Sequence, residues 1–318
     1  MRRFYYNEDF IFGFSLQNPP KCAIINQRHF SRRHNEDLTK REKRDMSRLA
    51  LLGGVFRGLH CKKYFERGNT ADALKALLTP DVAGVYVQQP NFYGLFEETE
   101  AIGELVHGNG SMYILGCNPI ALAVMKTPRD CGADIAVGEG QPLGMPLSWG
   151  GPYLGFMATT AKHMRKLPGR IVGETVDSRG GRAYVLSLQA REQHIRREKA
   201  SSNICSNQAL CALTAGVYMA AMGPGGMAQA AKQSMAKAHY LAEELCKLDG
   251  VRLKYSGAYF HEFVTVMPKA EEVLKALENA GILGGLPVDG GILWCATEKV
   301  SREELDRTVS IVKEVLGA

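Results

Sequence analysis

Short apolar runs of strand length alternate with helical pieces between residues 83 and 158, and this alternation constrains the chain to an α/β fold with a mostly parallel sheet. Residues 83–88 form an apolar run closed by the turn QPNFYG, 97–107 read as a helix, and 111–117 form a strand leading into NPIALAVMK. Two further short runs, 134–137 and 153–158, continue the sheet. In sheets of this kind ligands sit beyond the carboxyl ends of the strands. The loops placed there are 89–94, 118–122 and 138–151. The last carries Gly138, Gly140, Gly144, Gly150 and Gly151 among Pro142 and Pro146, with Pro152 directly after it. Glycine permits close backbone approach and proline fixes its direction, so this loop is shaped for contact.

The rest of the chain has a different pattern. A short helix, ADALKALL, follows a possible cap at Asn69 or Thr70. Residues 170–176 and 182–188 form a hairpin around DSRGG, followed by QAREQHIRREKASSN. In that basic run Arg191, Ile195 and Glu198 share a helical face without a clean apolar stripe; a solvated or bracing face and a contact role weigh equally. A small-residue helix over 207–222 stops at GPGG, and a second runs to Leu248 with Met235, Ala238, Leu241 and Leu245 on one side. The remainder reads β, β, α, β, α, closing with a Ser301/Glu304 capping box and the stripe Leu305, Val309, Val312, Leu316. Three parts are expected: residues 1–65, basic and weakly ordered; 66–215, a large α/β domain; and 216–318, a connecting helix with a small α+β domain.

Charge is unevenly placed. Residues 1–65 hold 14 Lys/Arg against 6 Asp/Glu, whereas 66–318 hold 25 against 27. A basic arm can bind nucleic acid, but no aromatic residues stand at regular stacking positions, which favours a solvated segment. No run of about 18 apolar residues marks a membrane span, and the first residues make a poor signal peptide because Glu8 and Asp9 precede a very short apolar patch. The eight cysteines show no metal-ligand spacing, so reduced thiols, a cytoplasmic location and no metal are expected. Trp149 and Trp294 read as core or interface anchors rather than substrate platforms.

Three strings go beyond pattern: CNPIALAVMKTPRDCGADIAVGEGQPLGMPLSWGGPYLGFMA, GRIVGETVD and LQAREQHIRREKASSNICSNQALCAL. They closely resemble the P-protein family of the glycine cleavage system, and within it the α-type subunit, subunit 1. The resemblance extends over about residues 69–318. It implies the fold of type I pyridoxal-phosphate transferases: a large domain, here incomplete, and a small C-terminal α+β domain. It also implies an α2β2 assembly with subunit 2 that decarboxylates glycine and passes the aminomethyl group to lipoylated H-protein, as glycine dehydrogenase (aminomethyl-transferring).

The same resemblance implies that this chain holds no cofactor itself. In catalytic relatives a His-Lys pair follows the strand matching 134–137; the corresponding residues here are Gln141 and Pro142. The Asp that would contact the pyridine nitrogen corresponds to Asn118, and an amide cannot keep that nitrogen protonated by charge. Pyridoxal phosphate is therefore expected mainly on the partner subunit. Glu139, Gln141 and Pro142 of the glycine loop, with Arg191, His194, Arg196 and Asn203 of the basic run, are the candidates that shape the partner's site. A stand-alone aminotransferase-like enzyme using Lys126, Lys162 or Lys199, and a non-functional fragment, are the alternatives. Residues 1–65 do not resemble the family's N-terminal part, and without its strands apolar faces and a sheet edge are expected to lie unpaired.

Overall fold

The structure, a computed structural model, describes residues 10–13, 70–80, 82–148, 153–167, 171–187, 197–199, 208–288 and 290–317. In chain order these form β1 (Phe10–Gly13), α1 (Thr70–Lys75), β2 (Gly84–Gln89), α2 (Thr99–Gly108), β3 (Met112–Cys117), β4 (Ile135–Glu139) and β5 (Gly155–Thr160). The hairpin β6 (Ile171–Val176) and β7 (Arg182–Ser187) follows, then the long helix α3 (Ala209–Cys246). The chain ends with β8 (Arg252–Leu253), β9 (Glu262–Val266), α4 (Ala270–Asn279), β10 (Leu286–Val288), β11 (Gly291–Cys295) and α5 (Arg302–Leu316).

The first sheet has the order β1-β5-β4-β3-β2. β2, β3 and β4 run parallel, as the alternation requires. β5 differs from a continued parallel sheet, because it pairs antiparallel with β4. The reason is local: among its described residues the glycine-proline loop has no helix to carry the chain across the sheet, and it returns beside the strand it left. β1 adds a further antiparallel strand on β5 within the segment expected to be weakly ordered. FIFG is too short a run to announce itself in the sequence.

Val85, Val87, Tyr113 and Leu115 bury one face of this sheet against Ile102 and Val106 of α2. Asp134 fixes that helix in place, because its Oδ2 meets His107 Nε2 at 3.0 Å and accepts from the Tyr113 backbone N–H at 2.9 Å.

α3 joins the two sheets. It is broken at Gly223, whose backbone is non-helical, and resumes at once with Pro224. Proline suits the first turn of the new helix because no partner exists there for an N–H. α3 is long and apolar enough to cross a membrane by length and composition. Its second half, however, buries Ala238, Leu241, Ala242 and Leu245 in the core of the small sheet.

That small sheet has the order β10-β11-β9-β8 and is antiparallel throughout. Phe263, Ile292 and Trp294 face α3, while Val273 and Leu277 of α4 and Leu305 and Val312 of α5 close the core. Trp294 Nε1 donates to Thr265 Oγ1 at 2.7 Å, so the buried indole leaves no orphan donor. The Ser301/Glu304 capping box is present: the Ser301 hydroxyl accepts from Glu304 N–H at 3.1 Å, and Glu304 Oε2 accepts from Ser301 N–H at 2.7 Å. β10 has no clear signal in the sequence, since Pro287 interrupts it; proline is tolerated because β10 is an edge strand.

Candidate functional site

The carboxyl ends of β2, β3 and β4 meet at one edge, where three loops begin. Asn118 N–H donates to the Gln89 carbonyl at 3.3 Å, and Cys117 Sγ approaches the Val137 carbonyl at 3.5 Å. Burial pushes the Cys117 thiol up to about 12, so it is neutral and unreactive at ordinary pH.

The first loop, after β2, is held by amide side chains. Gln89 Oε1 accepts from Glu97 N–H at 2.8 Å. Asn91 Oδ1 accepts from the N–H groups of Tyr93 and Leu95 at 2.9 and 3.1 Å, and its Nδ2 donates to Glu97 Oε1 at 2.7 Å. This turn reaches the small sheet, where Phe260 N–H donates to the Gly94 carbonyl at 3.0 Å and Phe96 N–H to the Ala258 carbonyl at 2.9 Å. Gly94 has φ +82°, and a Cβ there would lie 1.9 Å from the Glu262 carbonyl oxygen. Glycine is therefore obligatory at this junction.

Asn118, the expected pseudo-cofactor position, caps the second loop. Its Oδ1 accepts from Ile120 and Ala121 N–H at 2.9 and 3.2 Å. The amide oxygen is thus committed to backbone.

The third loop turns its candidate side chains on itself. Glu139 Oε1 accepts from Gln141 N–H at 3.0 Å and from Leu154 N–H at 2.6 Å, tying the start of the loop to its end. Gln141 Nε2 donates to the Pro146 carbonyl at 3.3 Å, and Pro142 is exposed beside it. Gly144, at φ +85°, lies so close to α3 that a Cβ would be 2.8 Å from Tyr218 Cβ. Leu143 and Leu154 complete the contact by packing with Cys211 and Ala215. Arg191, His194, Arg196, Asn203 and Trp149 lie outside the described residues.

A cleft of about 550 Å³ opens between the start of α2 and the turn after β3, lined by Gln89, Thr99, Cys117, Lys126, Cys131 and Met235 among others. Its polar groups are also internally partnered: Thr99 Oγ1 donates to Cys131 Sγ at 3.2 Å, and Lys126 pairs with Glu100. The Glu100 carboxylate raises the Lys126 pKa, the opposite of what an imine-forming amine needs. Gln141 and Pro142 have no amine. Among the described residues, this edge does not fit the aldehyde of pyridoxal phosphate.

Relatives now place the geometry. A profile of the Glycine cleavage system P-protein matches residues 60–312. The chain belongs to this family. It is 46% identical over 262 residues to a probable glycine dehydrogenase (decarboxylating) subunit 1 of Desulfitobacterium hafniense, covering 79% of this chain and 58% of the relative. The corresponding protein of Chlorobaculum tepidum is 49% identical over 246 residues, covering 76% and 55%. The chain therefore spans little more than half the length of the curated relatives it matches.

A crystal structure of glycine decarboxylase (P-protein) of the glycine cleavage system, in inhibitor-bound form, superposes with a TM-score of 0.71 at 43% identity, covering 74% of this chain and 55% of that one. A NifS-like protein from Rickettsia africae, at 12% identity and a TM-score of 0.54, covers 78% of this chain and 66% of its own and shares the fold alone. This P-protein family member thus has the expected α/β fold of the type I pyridoxal-phosphate transferases.

One group of side chains escaped the sequence reading, which expected no metal site. His261, Glu262 and Cys295 converge at the end of the small sheet facing the Gly94 turn, each offering a ligand atom within 4.8 Å of the others. Burial pushes His261 down to about 4 and Glu262 up to about 7. Cys295 keeps part of its surface in solvent, yet surrounding protein desolvates the thiol and pushes it up to about 12. No local spacing signals the group, because the pairing of β9 with β11 creates it.

Proposed function

We propose that this chain acts as the α-type subunit of a glycine-cleaving enzyme and shapes the site of a partner subunit rather than holding pyridoxal phosphate itself. The observation that carries this reading is the loop after β4. Where an imine-forming lysine is expected in catalytic relatives it has Gln141 and Pro142, and Glu139 and Gln141 spend their hydrogen bonds holding the loop's shape. Such a loop can form a wall, exclude water and position a neighbour's groups. It supplies no nucleophile. The cofactor, when bound on the partner, supplies the electron sink for decarboxylation.

In this reading the partner is P-protein subunit 2 in an α2β2 assembly, the substrate is glycine, and the aminomethyl acceptor is lipoylated H-protein. The free thiols of Cys117, Cys131, Cys211, Cys246 and Cys295 support a cytoplasmic setting. The test is co-expression with subunit 2, followed by glycine–bicarbonate exchange in the presence of lipoylated H-protein. Exchange by the pair and none by either chain alone is the expected result; exchange by this chain alone would refute the proposal.

A further inference from the structure

The trio at the end of the small sheet has a donor set that the proposed function does not use. Glu262 and Cys295 are directly opposed across the β9–β11 ladder, so their side chains project from the same face. His261 precedes β9, and its carbonyl accepts from Ala296 N–H at 3.0 Å, which locks it to the residue after β11. Its ring stands edge-on to Phe260 at 4.5 Å, with an interplanar angle of 82°. Nδ1 of that ring is buried and has no hydrogen-bond partner. A buried imidazole nitrogen without a partner is uncommon and calls for a ligand or an explanation.

We propose that His261, Glu262 and Cys295 form a site for a borderline divalent transition metal, Zn²⁺ in the first instance, with a fourth position open to water or an anion. Imidazole nitrogen, carboxylate oxygen and thiolate sulfur together suit Zn²⁺ and disfavour the hard cations Mg²⁺ and Ca²⁺. Ligands on a tetrahedral zinc at about 2.0–2.3 Å lie about 3.4–3.6 Å apart, so the three atoms must close by about an ångström. Side-chain rotation on a fixed ladder can supply that movement. Binding Zn²⁺ would release the thiol proton, and the Glu262 carboxyl proton where one is held, to solvent, and the resulting thiolate and carboxylate together balance the metal's two positive charges.

The location gives the site a consequence. The Gly94 turn, which starts at the carboxyl edge of β2, lies directly against Glu262. A metal there would brace the end of the small sheet where the first sheet's loop docks on it.

The test uses the full chain, stripped with a chelator and titrated with Co²⁺ as the spectroscopic probe, then with Zn²⁺ in competition. One Co²⁺ per chain with a sulfur-to-cobalt charge-transfer band is expected. Cys295→Ser should abolish the band, His261→Gln and Glu262→Gln should weaken binding by at least about 100-fold, and Cys246→Ser should leave both unchanged. Circular dichroism confirms that each variant is folded, and the isosteric Glu262→Gln keeps the test decisive if a bulkier change unfolds the chain. No stoichiometric uptake, or a band that survives Cys295→Ser in a folded protein, would overturn the proposal.

Discussion

The two sheets satisfy their apolar surface differently. The small sheet closes most of its own core: α3, α4 and α5 cover Phe263, Ile292 and Trp294, and among the described residues its exposed large apolar side chains are Leu283 and Leu286, beside and on the edge strand β10. The region around the first sheet leaves its contacts open. Leu210 at 76% exposure, with Leu213 and Val217, forms a stripe along the first half of α3. Leu147 in the glycine-proline loop is 77% exposed, and the β6–β7 hairpin presents Val172, Val176, Tyr184 and Val185 to solvent. Apolar surface of this extent is more than a free surface usually carries. One region closes most of its own core, and the other leaves more of its apolar side chains open.

Variants can break this contrast, beginning with the largest effect. Trp294→Ala empties the self-closed core and strands the Thr265 hydroxyl, and should cost about 3–5 kcal/mol in denaturant unfolding. A loss below about 1 kcal/mol would mean that this core is not the stable unit. Gly94→Ala forces a Cβ into the Glu262 backbone at the junction, with an expected cost of about 2–3 kcal/mol. Separate unfolding transitions for the two sheets in that variant would identify the turn as their coupling.

The first sheet's carboxyl edge offers a pH test. Cys117 has a raised pKa, so its burial stabilises the fold fully below the ordinary thiol pKa, and this contribution is lost as pH rises from about 9 towards 12. Between pH 9 and 10 the native chain should lose about 1 kcal/mol more than Cys117→Ala does. Parallel pH curves would show that the edge is already solvated. The smallest effect on stability belongs to the exposed stripe: Leu213→Ser should change unfolding by less than about 0.5 kcal/mol while reducing capture by subunit 2. Unchanged capture would remove this stripe from the interface.

How much of this was legible depends on the distance over which each feature is built. Local signals worked: the period of 251–316, the Ser301 cap and the stop at Gly223 all correspond to observed elements. Strand direction was less legible, because β5 could be read as a strand but its antiparallel pairing depends on where the loop returns. β1 and β10 were missed because one is four residues and the other contains Pro287. At the candidate site the sequence identified Asn118, Glu139 and Gln141 as unusual. It could not show that their amides and carboxylate would turn inward onto backbone, since that depends on loop closure. The His261, Glu262 and Cys295 group was invisible because strand pairing alone assembles it.

The central claim is that this chain contributes a wall and no nucleophile. Its most direct test is borohydride reduction of the co-expressed complex with pyridoxal phosphate, followed by mass spectrometry of both chains. The account predicts a reduced cofactor–lysine adduct on subunit 2 and none on this chain. An adduct on Lys126 or any other lysine of this chain, in proportion to activity, would contradict it.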